Sequence, residues 1–212
     1  MESSTTSSET TSLRDFRPLV LCGIPKLEKD ALMRKLWDAF PNSFSAAVSH
    51  TAGGEFHRGT PYDITTDEFQ KMVVEGKFAA HYKFGENLCG ISKHTISAVT
   101  AAHRIAVLDL DMQGVQQLKA IPEFNARYIF IMPPNPRLAE ARLTPQHVEP
   151  GELQISEPLR RSLAGFGYIR CPEQNRAELE YARIPGVYDL VLSSDDLDGA
   201  FQSLMDFIIG SK

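Results

Sequence analysis

A chain of 212 residues, 42% of them hydrophobic, is long and apolar enough for one large α/β domain or two small ones. Its net charge of −5 gives no bulk electrostatic reason to hold nucleic acid or an anionic membrane, and no apolar run approaches the roughly 20 residues of a membrane span. Three dispersed cysteines, Cys22, Cys89 and Cys171, argue against a disulfide framework and for a reducing, cytoplasmic setting.

In chain order, MESSTTSSETTS has neither the basic start nor the apolar segment of a secretory signal, and residues 1–14 read as a disordered polar tail. Arg17–Cys22 reads as a buried strand. Asp30–Phe40 reads as a helix with Ala31, Leu32, Leu36, Ala39 and Phe40 on one face, stopped by Pro41. Phe44–Ser49 is a second strand, followed by a loop rich in Gly and charge from His50 to Pro61. Thr65 and Glu68 form a capping box for a helix over Thr66–Glu75, closed by Gly76. Lys77–Phe84 and Leu88–Gly90 read as strands of a hairpin joined through Gly85-Glu86-Asn87, and Ser92–Ala102 as a helix. Arg104–Asp111 is a strongly apolar strand ending in alternating acids, with a helix over Gln113–Ala120 behind it. Ala126–Met132 is another buried strand, closed by Pro133-Pro134. Arg137–Leu143 reads as helical, Thr144–Glu157 as flexible, and Ser156–Tyr181 as a long helical region interrupted near Gly165 and Gly167. Val187–Ser193 is the last strand and Asp195–Ile209 the last helix. Strands alternating with helices predict an α/β fold with a central parallel sheet covered on both faces. The antiparallel pieces between His50 and Gly90 predict a small inserted subdomain.

The stretch Leu19-Val20-Leu21-Cys22-Gly23-Ile24-Pro25-Lys26-Leu27-Glu28-Lys29-Asp30 has the shape of a phosphate loop: apolar strand, Gly turn, then a helix with a Lys at its start. The pattern G-x-x-x-x-G-K-[ST] uses glycines to close backbone N–H groups on phosphate, Lys to neutralise charge and a hydroxyl to reach Mg²⁺. Gly23 and Lys29 keep that spacing, but the second Gly is Glu28 and the hydroxyl position is Asp30. Two like charges about 4 Å apart repel by roughly 4 kcal/mol at an effective dielectric of 20, so Glu28 opposes a triphosphate. Asp30 retains a carboxylate for a metal. An ordinary strand–turn–helix accounts for the same residues.

The order of motifs resembles guanylate kinase, from Arg17 to the C-terminus. The segment Val107-Leu108-Asp109-Leu110-Asp111-Met112-Gln113-Gly114-Val115 matches the family's LD-x-D-x-QGV, and Met132-Pro133-Pro134 its x-PP element. Ser49-His50-Thr51 and Gly54-Glu55 resemble its S-H-T and G-E, and Asp195-Asp196-Leu197-Asp198 the start of its final helix. The resemblance implies a P-loop nucleoside-monophosphate-kinase fold. Residues 15–49 and 92–212 would form the core, 50–91 a GMP-binding-type insertion and about 144–157 a lid. It also implies phosphate transfer from ATP to GMP with Mg²⁺. It gives Lys29, Asp109 and Arg142 catalytic roles and places Gly23, Lys29, Asp30, Ser49, Tyr62 and Asp111 at nucleotide or ligand contacts. No dedicated metal ligands are expected.

The departures fall on ligand-facing positions. The family pattern S-x-T-T-R-x-P-R-x-G-E supplies two arginines for the GMP phosphate; here Thr51 runs through Ala52-Gly53 to Gly54-Glu55 and both are missing, with Arg58 nearby at the wrong spacing. The guanine-reading carboxylate of F-[IL]-E is Ala80 in Phe78-Ala79-Ala80. The Y-G-[ST] element is Cys89-Gly90-Ile91, which removes a phenol and a hydroxyl. In the lid, R-G-x-E-[TS] is replaced by Thr144-Pro145-Gln146-His147, and Arg161 falls one residue out of phase with a second lid arginine. Losing a transition-state arginine costs phosphoryl transfer orders of magnitude.

Three readings follow. The first is a guanylate-kinase-like protein with weak ATP and Mg²⁺ binding and little GMP kinase activity, acting by binding a small-molecule ligand or a protein partner. The second is an enzyme redirected to a less polar substrate, with His81 as acid–base group and His50, His57, Lys83 and Cys89 nearby. The third is a residual kinase using Lys29, Asp109, Asp111 and Arg142. A scattered set of histidines is more often surface decoration, and the alternative reading of the two aspartates is a pair of hydrogen-bonded structural acids. No Cys/His spacing supports structural zinc, and nothing in the sequence sets an oligomeric state.

Overall fold

The structure, a computed structural model, describes residues 15–24, 26–53, 62–84, 87–133 and 172–210. In chain order these form β1 (Leu19–Gly23), α1 (Lys26–Ala39), β2 (Phe44–Ala46), β3 (His50–Ala52), α2 (Thr66–Val74), β4 (Phe78–Phe84) and β5 (Asn87–Ser92). There follow α3 (Lys93–Ala101), β6 (Ile105–Asp109), α4 (Met112–Lys119), β7 (Arg127–Met132), α5 (Pro172–Ala182), β8 (Leu190–Ser193) and α6 (Leu197–Gly210).

Five strands form one sheet in the order β2-β6-β1-β7-β8, and every pairing in it is parallel. Its central strands are buried throughout, as expected where helices cover both faces. Alternate residues serve the two faces. Leu19, Leu21, Ile105, Val107, Ile129 and Ile131 meet Leu32, Met33 and Leu36 of α1 and Leu204, Met205 and Ile208 of α6. Val20, Cys22, Ala106, Leu108 and Phe130 meet Ile96 of α3, Val115 and Leu118 of α4 and Leu179 of α5.

A second, antiparallel sheet has the order β3-β5-β4. Ala52, Phe69, Phe78 and Leu88 form its own small core with α2. The predicted capping box opens α2: Glu68 N donates to Thr65 Oγ1 at 3.2 Å and Thr65 N to Glu68 Oε2 at 2.8 Å. Gly76, at φ +62°, closes it. The outer edge of β4 does not stay open. His81 N donates to Gln117 Oε1 at 3.0 Å, and Gln117 Nε2 donates to His81 O at 2.9 Å, so one amide of α4 satisfies the edge and holds the small sheet to the main one.

Several boundaries differ from expectation. α1 begins at Lys26 rather than Asp30; with no glycine at position 28, an acidic first turn suits helix. The strand predicted over Phe44–Ser49 stops at Ala46, because the chain leaves the main sheet there and His50 pairs with Gly90 in the second. The strand predicted to Asp111 stops at Asp109 because Asp111 caps α4. The tail at 1–14, the helix at 137–143, the lid at 144–157 and most of the helical region at 156–181 lie outside the described residues.

Candidate functional site

The carboxyl ends of the parallel strands gather Gly23, Lys29 and Asp109 of the predicted residues, where ligand sites in open α/β sheets lie. Leu21 of β1 pairs with Asp109 of β6, so the end of β6 stands beside the β1–α1 turn. From the first turns of α1, Lys29 Nζ donates to Asp109 Oδ1 at 2.6 Å, and both side chains are 5% exposed. An ammonium carries three donors, so this contact leaves Lys29 able to hold a further acceptor. Asp109 Oδ2 is buried without a hydrogen-bond partner. Asp30 is buried next to Lys29 in sequence, whereas Glu28 sits in the first turn of α1. There its carboxylate favours the positive end of the helix by about 0.3–1 kcal/mol. That is the place an anion would otherwise take.

Gly23 ends β1 at φ +141°, and a Cβ built there would lie 2.4 Å from the Ile131 carbonyl oxygen of β7. The packing of β1 on β7 demands this glycine whatever the site binds. Asp111 also has a local duty: its Oδ1 accepts from Gly114 N at 2.8 Å, an N-cap on α4. Ala47, two residues before Ser49, donates its N–H to Val107 O of β6 at 2.9 Å. Ser49 is buried and its Oγ has no partner.

Tyr62 stands further out. Its carbonyl accepts from Thr51 N at 3.0 Å, and its ring meets the His50 ring edge-on at 5.1 Å. With Ser45, Val48, His94 and Arg104 it lines a cavity of about 280 Å³ beside α3, to which neither Lys29 nor Asp109 contributes.

The wall facing the site comes from the β4–β5 ladder. Ala80 pairs with Ile91 and Tyr82 with Cys89. Ala80 and Ile91 are 2% and 1% exposed, so the wall is apolar where the resemblance places a carboxylate and a hydroxyl. Tyr82 stands beside Cys89 across the ladder. Burial, then Cys89 and the charges of Asp109 and Asp111, push the phenol far above its ordinary range. Burial also pushes the Cys89 thiol up, with Tyr82 acting the other way, so Cys89 is no thiolate nucleophile at neutral pH.

His81 is not brought to Asp109. Its ring lies 5.8 Å from that of Phe78 and 6.4 Å from that of Phe69, on the α2 side of the ladder. The residue on the Asp109 side is its neighbour Tyr82, which the sequence reading passed over; pairing Cys89 across the hairpin would have found it. Lys83 is exposed. Arg142, Arg58 and His57 lie outside the described residues. Among the described residues no group of three His, Cys, Asp or Glu side chains is placed to hold a metal ion.

His50 packs edge-on against Tyr62 and Phe78. Burial lowers its pKa below 6.5, opposed by the Gly90 backbone, with His94 adding to the lowering. In that window the unfolded chain binds a proton the folded chain refuses, so stability should hold above pH 6.5 and fall as pH drops below it. Urea midpoints between pH 7.5 and 5.5 should show this slope weakened in His50→Gln.

The family model described as guanylate kinase matches residues 15–161. A guanylate kinase of Sus scrofa is 34% identical over 194 residues, covering 90% of this chain and 90% of its own. A guanylate kinase of Schizosaccharomyces pombe is 32% identical over 206 residues, covering 95% and 94%. The crystal structure of guanylate kinase from Anaplasma phagocytophilum superposes with a TM-score of 0.56 at 17% identity, covering 91% of this chain and 84% of that one, which speaks for the fold. With the buried Lys29–Asp109 pair at the carboxyl edge, the parallel core and the small second sheet, these matches establish that the chain belongs to the guanylate kinase family.

Proposed function

We propose that this family member performs little ordinary ATP:GMP phosphotransfer and acts by binding, as an accessory protein for a small-molecule ligand or a protein partner. The observation that carries the reading is the Ala80–Ile91 pair on the wall of the site, buried and apolar. Guanine presents N–H donors there, and each left buried and unpaired costs about 1–3 kcal/mol. A site built to hydrogen-bond its substrate discriminates strongly, and one without those partners does not. The missing arginine pair of the S-H-T segment removes phosphate charge stabilisation as well.

On the ATP side, Asp30 and Asp109 are hard oxygen donors of the kind Mg²⁺ takes, and the unpartnered Asp109 Oδ2 suits a metal-bound water. Glu28 in the first turn of α1 opposes the triphosphate, so ATP with Mg²⁺ would bind weakly. In this reading residues 50–91 are the altered monophosphate-binding insertion, and the protein works in the reducing cytoplasm its dispersed cysteines fit. A redirected enzyme is the second reading. What favours it is the pair of unpartnered buried groups, Ser49 Oγ and Asp109 Oδ2, which a different substrate would satisfy.

The test is GMP-dependent ADP release by the purified chain beside a family enzyme. Turnover is expected to be lower by roughly a hundredfold or more, the scale of losing charge stabilisation from phosphoryl transfer. Turnover within about tenfold of the control, about 1.4 kcal/mol in barrier, would overturn both readings in favour of a working kinase built on Lys29, Asp109, Asp111 and Arg142.

A further inference from the structure

The face of the β4–β5 ladder that lacks an acceptor at Ala80 and a phenol at Cys89 carries a ring of its own, Tyr82. Tyr82 stands directly opposite Cys89 in the register. A tyrosine at position 89 would meet it ring to ring; the small thiol leaves room. The Tyr82 ring packs on the cluster that contains Ala80, Ile91 and Leu110, the last of which lies between Asp109 and Asp111 in the chain. Both of those aspartates act electrostatically on its hydroxyl. The side chain therefore reaches from the small sheet toward the carboxyl edge of the main one. The strand that carries it is held in place: Gln117 grips both backbone groups of the preceding residue, His81, at 3.0 and 2.9 Å.

We propose that Tyr82 is the specificity-determining residue of this site: its ring occupies the space between the β4–β5 ladder and the Asp109–Asp111 edge, and excludes a nucleoside monophosphate by size. The proposal rests on the reading that the site no longer serves ordinary GMP phosphorylation, and adds a steric cause to the lost contacts. The site's polar environment favours exclusion over an alternative in which Tyr82 replaces the missing phenol as a phosphate contact. The Tyr82 hydroxyl lies in the field of the Asp109 and Asp111 carboxylates, which repel phosphate.

The two roles separate by a size series. GMP is titrated calorimetrically into the full chain and into Tyr82→Phe, Tyr82→Val and Tyr82→Ala, with folding checked by circular dichroism. Exclusion by size predicts Tyr82→Phe within about twofold of the parent, with Tyr82→Val and Tyr82→Ala tighter by roughly fivefold or more. Valine suits a strand, so it decides the matter if the alanine variant does not fold. A fall in affinity for Tyr82→Phe equal to that of Tyr82→Val makes the phenol a contact and overturns the proposal. So does an affinity that fails to rise in every folded small variant. The underlying reading fails by a different measurement, brisk GMP turnover by the unmodified chain, so the two failures are distinguishable.

Discussion

Lys29→Met is expected to remove about 3–5 kcal/mol of folding stability, and Asp109→Leu a similar amount. The two side chains meet at 2.6 Å and are each 5% exposed, so removing either leaves the other charge desolvated with its ion-pair partner gone. Breaking a buried pair in this way costs far more than the pair contributes relative to an apolar replacement of similar size. The double variant should therefore lose less than either single one, and a double-mutant cycle should show strong coupling between the positions. Urea unfolding of all four proteins at neutral pH provides the measurement. Single losses under about 1 kcal/mol, the range of an exposed pair, would mean that Lys29 and Asp109 are not joined in solution. The same cycle guards the functional assays: a phosphate-loop lysine that also holds the fold together cannot be judged by lost activity alone.

How far the sequence discloses this molecule depends on whether a signal is local. The runs at Leu19–Gly23, Ile105–Asp109 and Arg127–Met132 are apolar without alternation, because both faces of a parallel strand are covered, and they read directly as core. The capping box at Thr65 and Glu68 is equally local and forms as expected. The break between β2 and β3 is not local, since it occurs where the chain trades one sheet for another. The site wall shows the same limit. Strict alternation from Phe78 puts Phe78, Ala80 and Tyr82 on one face, but the register shifts between Phe78 and Ala80. That irregularity turns Phe78 to the α2 side, where it meets His81, three positions on, instead of Ala80. A bulge leaves no mark in composition, so the sequence offers His81 as the acid–base group on chemistry alone, without the geometry that turns it away from Asp109. Asp111 failed to declare itself for another reason. A cap and a ligand-reading carboxylate use the same residue type, and only the 2.8 Å contact to Gly114 N shows which duty one of its oxygens performs.

Gly23→Ala is expected to destabilise the fold by about 3 kcal/mol or more. Two effects add. At φ +141° the backbone of Gly23 lies where L-residues are strained. The new Cβ would also stand 2.4 Å from the Ile131 carbonyl oxygen and 3.1 Å from its nitrogen. Both obstacles are backbone of the neighbouring strand, so no rotamer change relieves them, and β1 would have to draw away from β7 along a register that runs Leu19 to Arg127 through Gly23 to Ile131. That ladder lies at the centre of the five-stranded order, so the cost is not confined to the loop. Gly23 is also the residue that makes the stretch look like a phosphate loop, and a loss of ATP binding in the alanine variant would invite that interpretation. Thermal unfolding separates the two duties. A variant that loses nucleotide binding while melting within a few degrees of the parent would place the glycine's role at the phosphate. The structure predicts the reverse: a melting temperature lowered by roughly 6 °C or more, at about 2–4 °C per kcal/mol for a chain of this size, whether or not nucleotide is present.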